Sequence, residues 1–155
     1  MKHIKRFNEA LDENFREELQ DFCELNLAYL LDEGTEIKIE YQYSTMHMLT
    51  ITLDEPTGWP SIKDHMIPFL IRLNNQYDII KVAYSNTSNK KPTPHDVSIK
   101  AIVLKHPIAN RTLDIPFLIK DLIENKNTLY SFQIDDLVIS EFQLFIENHL
   151  YDIKE

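Results

Sequence analysis

The six histidines are the residues best suited to chemistry in this chain, yet their spacing does not fit the common histidine sites. No two of them stand four residues apart, so no helix presents a pair to one metal ion, and no His-Glu-x-x-His motif occurs. A histidine and a hydroxyl two residues apart would share one strand face, but His47 precedes Thr50 by three residues. The sequence therefore predicts no histidine pair in catalysis. The histidines are His3, His47, His65, His95, His106 and His149.

Among the carboxylates, the adjacent pair Asp54 and Glu55 is the most site-like, because it opens a proline- and glycine-containing loop that leads to Trp59. Paired carboxylates can bind a metal ion or exchange protons with a substrate. A metal-dependent hydrolase that uses Asp54, Glu55 and histidines is therefore one alternative function. The second adjacent pair, Asp135 and Asp136, better fits the start of a helix, where carboxylates accept backbone N–H bonds.

The glycine and cysteine content disfavours nucleotide and cofactor sites. The two glycines, Gly34 and Gly58, are too far apart to form the glycine-rich loops that let a backbone approach phosphates. Cys23 is the only cysteine, which excludes an internal disulfide, and its apolar neighbours predict a buried thiol. We therefore expect no cofactor and no bound metal.

Charge is unevenly distributed along the chain. Its net charge is −9, from 16 Lys and Arg against 25 Asp and Glu. Residues 8–40 contain eleven acids and two bases, whereas residues 85–111 contain five bases and one acid. The two stretches predict complementary surfaces for a protein partner or for self-association. The interaction residues that we select from them are Glu17, Glu18, Asp21, Lys90, Lys91, His95, Lys105 and Arg111.

A weak nucleic-acid-binding function is the second alternative, because phosphates attract basic stretches. The negative net charge and the lack of aromatic residues among the bases oppose it, so nucleic acid is not the expected partner. No apolar run approaches the roughly 20 residues of a membrane span, so we also expect no membrane contact. The candidate phosphate contacts are Lys90, Lys91, Lys100, Lys105 and Arg111.

Hydrophobic periodicity predicts one α+β domain over residues 1–155, with a four-stranded, mainly antiparallel sheet covered by helices. The predicted order is α-β-β-α-β-β-α-α. A further short strand over residues 128–134 is left open. The predicted strands are 37–43, 46–53, 78–84 and 97–104, and the predicted helices are 8–32, 61–73, 114–126 and 135–150, with a polar loop at 85–96.

The pentapeptide Ile-Pro-Phe-Leu-Ile occurs twice, at residues 67–71 and 115–119, and a cation follows each copy. Each copy lies after a strand and a loop in the predicted order, so we expect both to belong to apolar helices, which begin or bend at the proline. Duplication and chance both remain open as the origin of the repeat.

Tyr41 and Tyr43 lie on one face of the first predicted strand. Antiparallel sheets leave unpaired edges, and aromatic side chains near an edge favour pairing with another chain. We therefore add both tyrosines to the interaction residues and expect a homodimer or a larger assembly.

The opening MKHIKRFNE (residues 1–9) resembles the start of small uncharacterised proteins of tailed bacteriophages. Some of these continue with an acidic helix, a turn and a strand, to which LLDEGTEI (residues 30–37) is similar. The resemblance implies a phage accessory or virion-associated protein and carries no catalytic residues. We expect a non-catalytic protein that acts by protein–protein contacts in the cytoplasm. If a phage encodes it, the expected location is the host cytoplasm or the virion.

Overall fold

The computed structural model describes residues 2–43, 46–79, 101–125 and 133–147. Four helices, one 3-10 turn and six strands occur in these ranges. In chain order they are α1 (Lys2–Asn26), α2 (Ala28–Asp32), β1 (Glu36–Tyr43), β2 (Met46–Gly58), α3 (Trp59–Gln76), β3 (Asp78–Ile79), β4 (Ala101–Ile108), β5 (Arg111–Leu118), α4 (Ile119–Glu124), the 3-10 turn (Ile134–Asp136) and β6 (Val138–Glu147).

The strands form one antiparallel sheet in the order β1-β2-β6-β4-β5, and β3 pairs with the end of β6. The predicted α+β class with an antiparallel sheet is therefore confirmed, but the sheet has six strands and not four. Among the described residues, β1 pairs only with β2 and β5 only with β4, so these two strands are the edges of the sheet.

One face of α1 is buried because its apolar residues recur at intervals of four. Phe15, Leu19 and Cys23 are each at most 4% exposed, while the acidic residues between them face solvent. The predicted helix at 8–32 is correct in type but is interrupted at Leu27, after which α2 continues to Asp32.

The turn between α2 and β1 requires glycine. Gly34 has a φ of 105°, a conformation that side chains other than glycine rarely adopt. A Cβ atom at this position would also lie 2.9 Å from Oδ1 of Asp54. The Asp54 side chain therefore packs directly over the turn.

The core lies between α1, α3 and one face of the sheet, where alternate residues of each strand point inward. A row of paired residues crosses the centre of this face, with Ile51 of β2 opposite Phe142 of β6 and Phe142 opposite Leu104 of β4. All three are completely buried. Their pairing across distant strands joins the two halves of the chain in one core.

Helix α3 starts earlier than the sequence predicts. Its N-cap is Gly58 and not the predicted Ser61, and Pro60 lies in the first turn, where proline is tolerated because its missing N–H would have no helical partner. The side chain of Trp59 is completely buried, and its Nε1 donates a hydrogen bond to Oδ1 of Asn125 at 2.8 Å. Pro68 lies inside the helix and does not begin it.

The second half of the chain departs most from prediction. Residues 111–118 form β5, so the helix predicted at 114–126 is reduced to α4. The helix predicted at 135–150 is wrong, because residues 138–147 form β6, the strand that joins β2 to β4. Asp135 and Asp136 lie in the 3-10 turn and cap no α-helix. Outside the described residues lie the predicted loop at 85–96, most of the strands predicted at 78–84 and 128–134, and half of the strand predicted at 97–104, whose other half belongs to β4.

Candidate interaction site

An open groove of about 780 Å³ runs between α1 and the edge strand β1. It forms because α1 packs on the sheet through its apolar face and leaves its acidic flank beside β1. We call this feature the acidic groove. Its lining residues are Glu13, Arg16, Glu17, Gln20, Asp21 and Glu24 of α1 and residues 37–41 of β1.

Carboxylates outnumber cations in the acidic groove. Five acidic side chains line it against two basic ones, Arg16 and Lys38. The Lys38 ammonium lies 3.6 Å from Oε1 of Glu40, so part of its charge is balanced within β1 itself. Gln20 donates a hydrogen bond to Oε1 of Glu24 at 3.1 Å. The α1 wall therefore presents a net negative surface to any occupant.

The β1 side of the acidic groove is largely apolar. Ile39 is 7% exposed, Ile37 is half-buried, and Tyr41 is 50% exposed. These residues alternate along the strand, so they lie on the sheet face that α1 flanks. Because β1 is an edge strand, the backbone groups on its outer side are not paired with another described strand.

A buried histidine supports the aromatic end of the acidic groove. His47 is completely buried, and its ring centroid lies 4.9 Å from that of Phe15 and 5.6 Å from that of Tyr41. The rings of Tyr41 and His47 meet edge to face, an arrangement favoured between aromatic rings. His47 thus holds Tyr41 in position from below and is itself shielded from solvent.

Three of the predicted interaction residues meet in this groove. Glu17 and Asp21 lie on its α1 wall and Tyr41 on its β1 side. Glu18 is exposed outside the lining, near Tyr77. Tyr43 ends β1, and its side chain is not described.

The predicted basic residues are only partly described. Lys90, Lys91 and His95 lie outside the described residues, as does Lys100. Lys105 is described, and its Nζ atom donates a hydrogen bond to Oδ1 of Asp114 at 2.7 Å with only 18% of the side chain exposed. Its charge is therefore largely compensated within the sheet.

The other basic candidates lie around the β4–β5 hairpin. Nδ1 of His106 is 2.6 Å from the carbonyl oxygen of Val138 and 3.1 Å from its backbone nitrogen, which ties β4 to the start of β6. Arg111 is exposed at the start of β5. The hairpin is at the opposite end of the sheet order from β1, so these residues do not join the acidic groove.

A second, smaller pocket of about 270 Å³ contains the carboxylate pair proposed for a hydrolase. Asp54 and Glu55 line it together with His65, whose ring stacks on Tyr29 at 4.6 Å with an angle of 11° between planes. A hydrogen bond to the Glu33 carboxylate raises the pKa of the Tyr29 hydroxyl. Within the part of the chain that the structure describes, no three His, Cys, Asp or Glu side chains are grouped as metal ligands.

No described helix is long and apolar enough to cross a membrane. No protein-family model, curated protein or solved structure matches the chain.

Proposed function

We propose that this protein is a non-catalytic interaction protein that binds an extended segment of a partner protein in the acidic groove. The observation that carries the proposal is the coincidence of an edge strand, β1, with an open groove along it. A segment entering the groove would add a further strand to the sheet. Its main-chain hydrogen bonds to β1 would supply affinity, and its alternate side chains would supply specificity.

The lining of the acidic groove supports binding more than catalysis. Four of its five acidic residues are spread along the flank of α1, and the fifth, Glu40, is on β1. His47, whose ring contacts Tyr41 of the groove, is completely buried. The contact of Tyr41 with the buried His47 ring favours recognition, because an aromatic side chain that is restrained before binding loses less entropy on binding.

We further propose that this contact serves a bacteriophage, as an accessory or virion-associated protein. The support for that setting is the similarity of residues 1–9 and 30–37 to small proteins of tailed phages. The acidic groove includes no residue of these two segments except Ile37, so the binding proposal does not depend on the phage setting.

A groove-filling variant tests the binding proposal. Gln20 is half-buried in the α1 wall, so Gln20→Trp fills the groove with an indole. Leu25→Trp is the matched control, because Leu25 is on the same helix, 80% exposed and outside the groove. Short peptides are selected from a random displayed library against the unmodified protein and then measured against both variants by fluorescence anisotropy.

We expect the selected peptides to bind the Leu25→Trp protein normally and the Gln20→Trp protein weakly. Amide hydrogen exchange of residues 36–43 should slow when peptide binds, because β1 amides gain partners. Equal binding to both variants, or a selection that enriches no peptide, would contradict the proposed function.

A further inference from the structure

The shape and charge of the acidic groove specify its occupant. We infer that it takes an extended segment of another protein with Lys or Arg at alternate positions. This inference rests on the proposed function and adds to it the chemistry of the partner. It follows from two independent features, the outer side of β1, which pairs with no described strand, and the spacing of carboxylates on α1.

The carboxylates of α1 match the repeat of a β-strand. Glu13, Glu17 and Asp21 follow one another at steps of four residues, which advance about 6 Å along a helix. Two residues of a strand advance about 6.6–6.8 Å and return a side chain to the same face. Cations at every second position of an added strand would therefore each approach one carboxylate of the wall.

The two walls of the groove have similar lengths. On α1 the lining extends from Glu13 to Glu24, about 16 Å at the rise of a helix. On β1 it covers residues 37–41, about 13 Å at the rise of a strand. A strand of five or so residues thus fits beside β1 and can carry about three cations on the face toward α1.

Long cationic side chains suit the mixture of apolar and acidic lining. The aliphatic stem of Lys or Arg can lie along Ile39, while its charged head reaches Glu17 or Asp21. The half-exposed ring of Tyr41 offers an additional cation–π contact. Aspartate and glutamate in the occupant would instead be repelled by the α1 wall.

A second copy of the chain is a poorer occupant. If two β1 strands paired about a two-fold axis, each copy would bring its own acidic α1 wall toward the other. The chain as a whole carries a net charge of −9, which adds to this repulsion. Charge complementarity therefore favours a basic segment over a second β1 strand as the occupant.

Three synthetic peptides of equal length test the inference by isothermal titration calorimetry. The first alternates lysine and threonine (Ser-Lys-Thr-Lys-Thr-Lys-Ser), the second has the same composition with contiguous lysines (Ser-Thr-Lys-Lys-Lys-Thr-Ser), and the third replaces each lysine of the first by glutamate. We expect the alternating peptide to bind several-fold more tightly than the contiguous one and the glutamate peptide not to bind. Affinity should weaken between about 50 mM and 500 mM salt, because salt screens exposed charges.

Charge reversal in the protein provides the complementary arm. Glu17→Lys with Asp21→Lys should weaken the alternating peptide about tenfold, the order expected for two exposed ion pairs. Glu18→Lys with Asp64→Lys is the matched control, because both residues are exposed and outside the groove and the net charge changes equally. This control should change the affinity about twofold or less, through long-range charge alone.

The outcomes separate this inference from the proposed function. The library selection could also yield neutral or acidic peptides that bind the unmodified protein but not the Gln20→Trp protein. That result would overturn the inference that the occupant is basic, while the proposal that the groove binds an extended segment would stand. Equal affinity of the alternating and contiguous peptides would overturn the proposed register of cations. A dimer in light scattering, at twice 18.3 kDa, that becomes monomeric in the Gln20→Trp protein would assign the groove to a second copy and overturn the inference.

Discussion

The two Ile-Pro-Phe-Leu-Ile segments have one sequence and two structures. Residues 67–71 lie in the middle of α3, and the buried members of this copy are the adjacent Phe69 and Leu70. Ile71, the last residue of the copy, is 40% exposed. This pattern is that of a helix, in which one side of each turn faces the core.

In the second copy the buried residues alternate. Ile115, Phe117 and Ile119 are each at most 2% exposed, and the first two belong to β5 while Ile119 begins α4. Leu118, between two of them, is half-buried. The same five residues are thus used with a period near 3.6 in α3 and with a period of 2 at the end of β5.

The surroundings of this pentapeptide therefore decide its structure. Around the first copy, Met66 and Leu73 continue an apolar stripe at helical spacing. The second copy follows a two-residue turn that places Ile115 opposite Leu104 and Phe117 opposite Ile102. The sequence of the pentapeptide does not reveal these partners, because they belong to another strand. Pairing with them overrides the helix that the pentapeptide itself predicts.

The greatest loss of stability should come from truncating the phenylalanine of either copy, because this residue is buried in both. Phe69 and Phe117 are each 1% exposed, so Phe69→Ala and Phe117→Ala should each lower the free energy of unfolding by about 3–5 kcal/mol. Urea denaturation followed by circular dichroism measures both. A loss below about 1 kcal/mol for either variant would show that its segment is not packed in the core as described.

The next effect separates the copies. Ile119 is 1% exposed and Ile71 is 40% exposed, although both are the fifth residue of the pentapeptide. Ile119→Ala should therefore cost about 2–5 kcal/mol, whereas Ile71→Ala should cost under about 1 kcal/mol. If the two variants unfold at the same urea concentration, the fifth residue is packed alike in both copies and the comparison fails.

Alkaline pH should destabilise the part of the core that surrounds the first copy. The ring of Phe22 links Phe69, at 5.9 Å, to Tyr77, at 5.6 Å. Burial raises the pKa of Tyr77 from 10.0 to about 12, with a smaller contribution from Glu18. Burial also raises the pKa of the Cys23 thiol, on the same helix as Phe22, from 9.0 to about 12.

The folded chain therefore holds these two protons more tightly than the unfolded chain does. Stability should be unaffected below about pH 9 and should fall as the pH rises from about 9 to 12. From Cys23 alone the loss should reach about 3 kcal/mol by pH 11. The urea midpoint measured between pH 8 and 11 tests this, with Cys23→Ala as the control that should flatten the slope. An unchanged slope in that variant would remove Cys23 as the cause.

The smallest effect is a gain in stability at Pro68. Inside α3 this proline removes a backbone hydrogen bond and crowds the preceding turn, which costs about 3 kcal/mol. Proline also restricts the unfolded chain, which offsets up to about 1 kcal/mol of that cost, so Pro68→Ala should stabilise the protein by about 2 kcal/mol. Pro60 is the matched control, because in the first turn its missing N–H costs nothing. Thermal denaturation of Pro68→Ala and Pro60→Ala tests the difference. A lower melting temperature for Pro68→Ala would mean that the proline contributes packing that outweighs its cost.

Local periodicity was sufficient for the type of each element in the first half of the chain, but not for every boundary. Strand β2 continues to Gly58, through residues predicted as a loop, and α3 begins at Trp59. The stripe of α1 and the strict alternation in β1 and β2 are patterns that tertiary contacts reinforce. The β4–β5 hairpin was missed because its turn, Ala109-Asn110, lacks the glycine usually found there, and Ala109 adopts a φ of 51°. A strained turn of this kind leaves no compositional signal.

The central strand β6 was missed for a different reason. Its pairing with β2 shifts between Thr52 and Thr57, so the buried residues Ile139 and Phe142 are three positions apart. That spacing, with Ile146 four residues further on, imitates the apolar stripe of a helix. The irregularity that fits β6 into the sheet thus hides it in the sequence.

The candidate site was predicted in part. The acidic flank of α1 and the exposed Tyr41 followed from charge and alternation in the sequence. Their meeting in one groove depends on how α1 packs beside β1, which no local pattern specifies. The role of His47 beneath Tyr41 was likewise hidden, because a histidine at an inward position of a strand carries no signal for its aromatic neighbours.

The place of β6 in the sheet has a consequence for synthesis of the chain. The hydrogen bond from Oγ1 of Thr52 to Glu141 joins residues 89 positions apart in sequence. At about 5–20 residues per second, a ribosome needs on the order of 10 s to make that stretch. Throughout this interval the nascent β1–β2 pair lacks the strand that covers its inner edge, and an apolar strand edge of this kind is open to aggregation. The sheet can therefore be completed only after β6 has been made, and until then the inner edge of β2 is open to pairing with another chain.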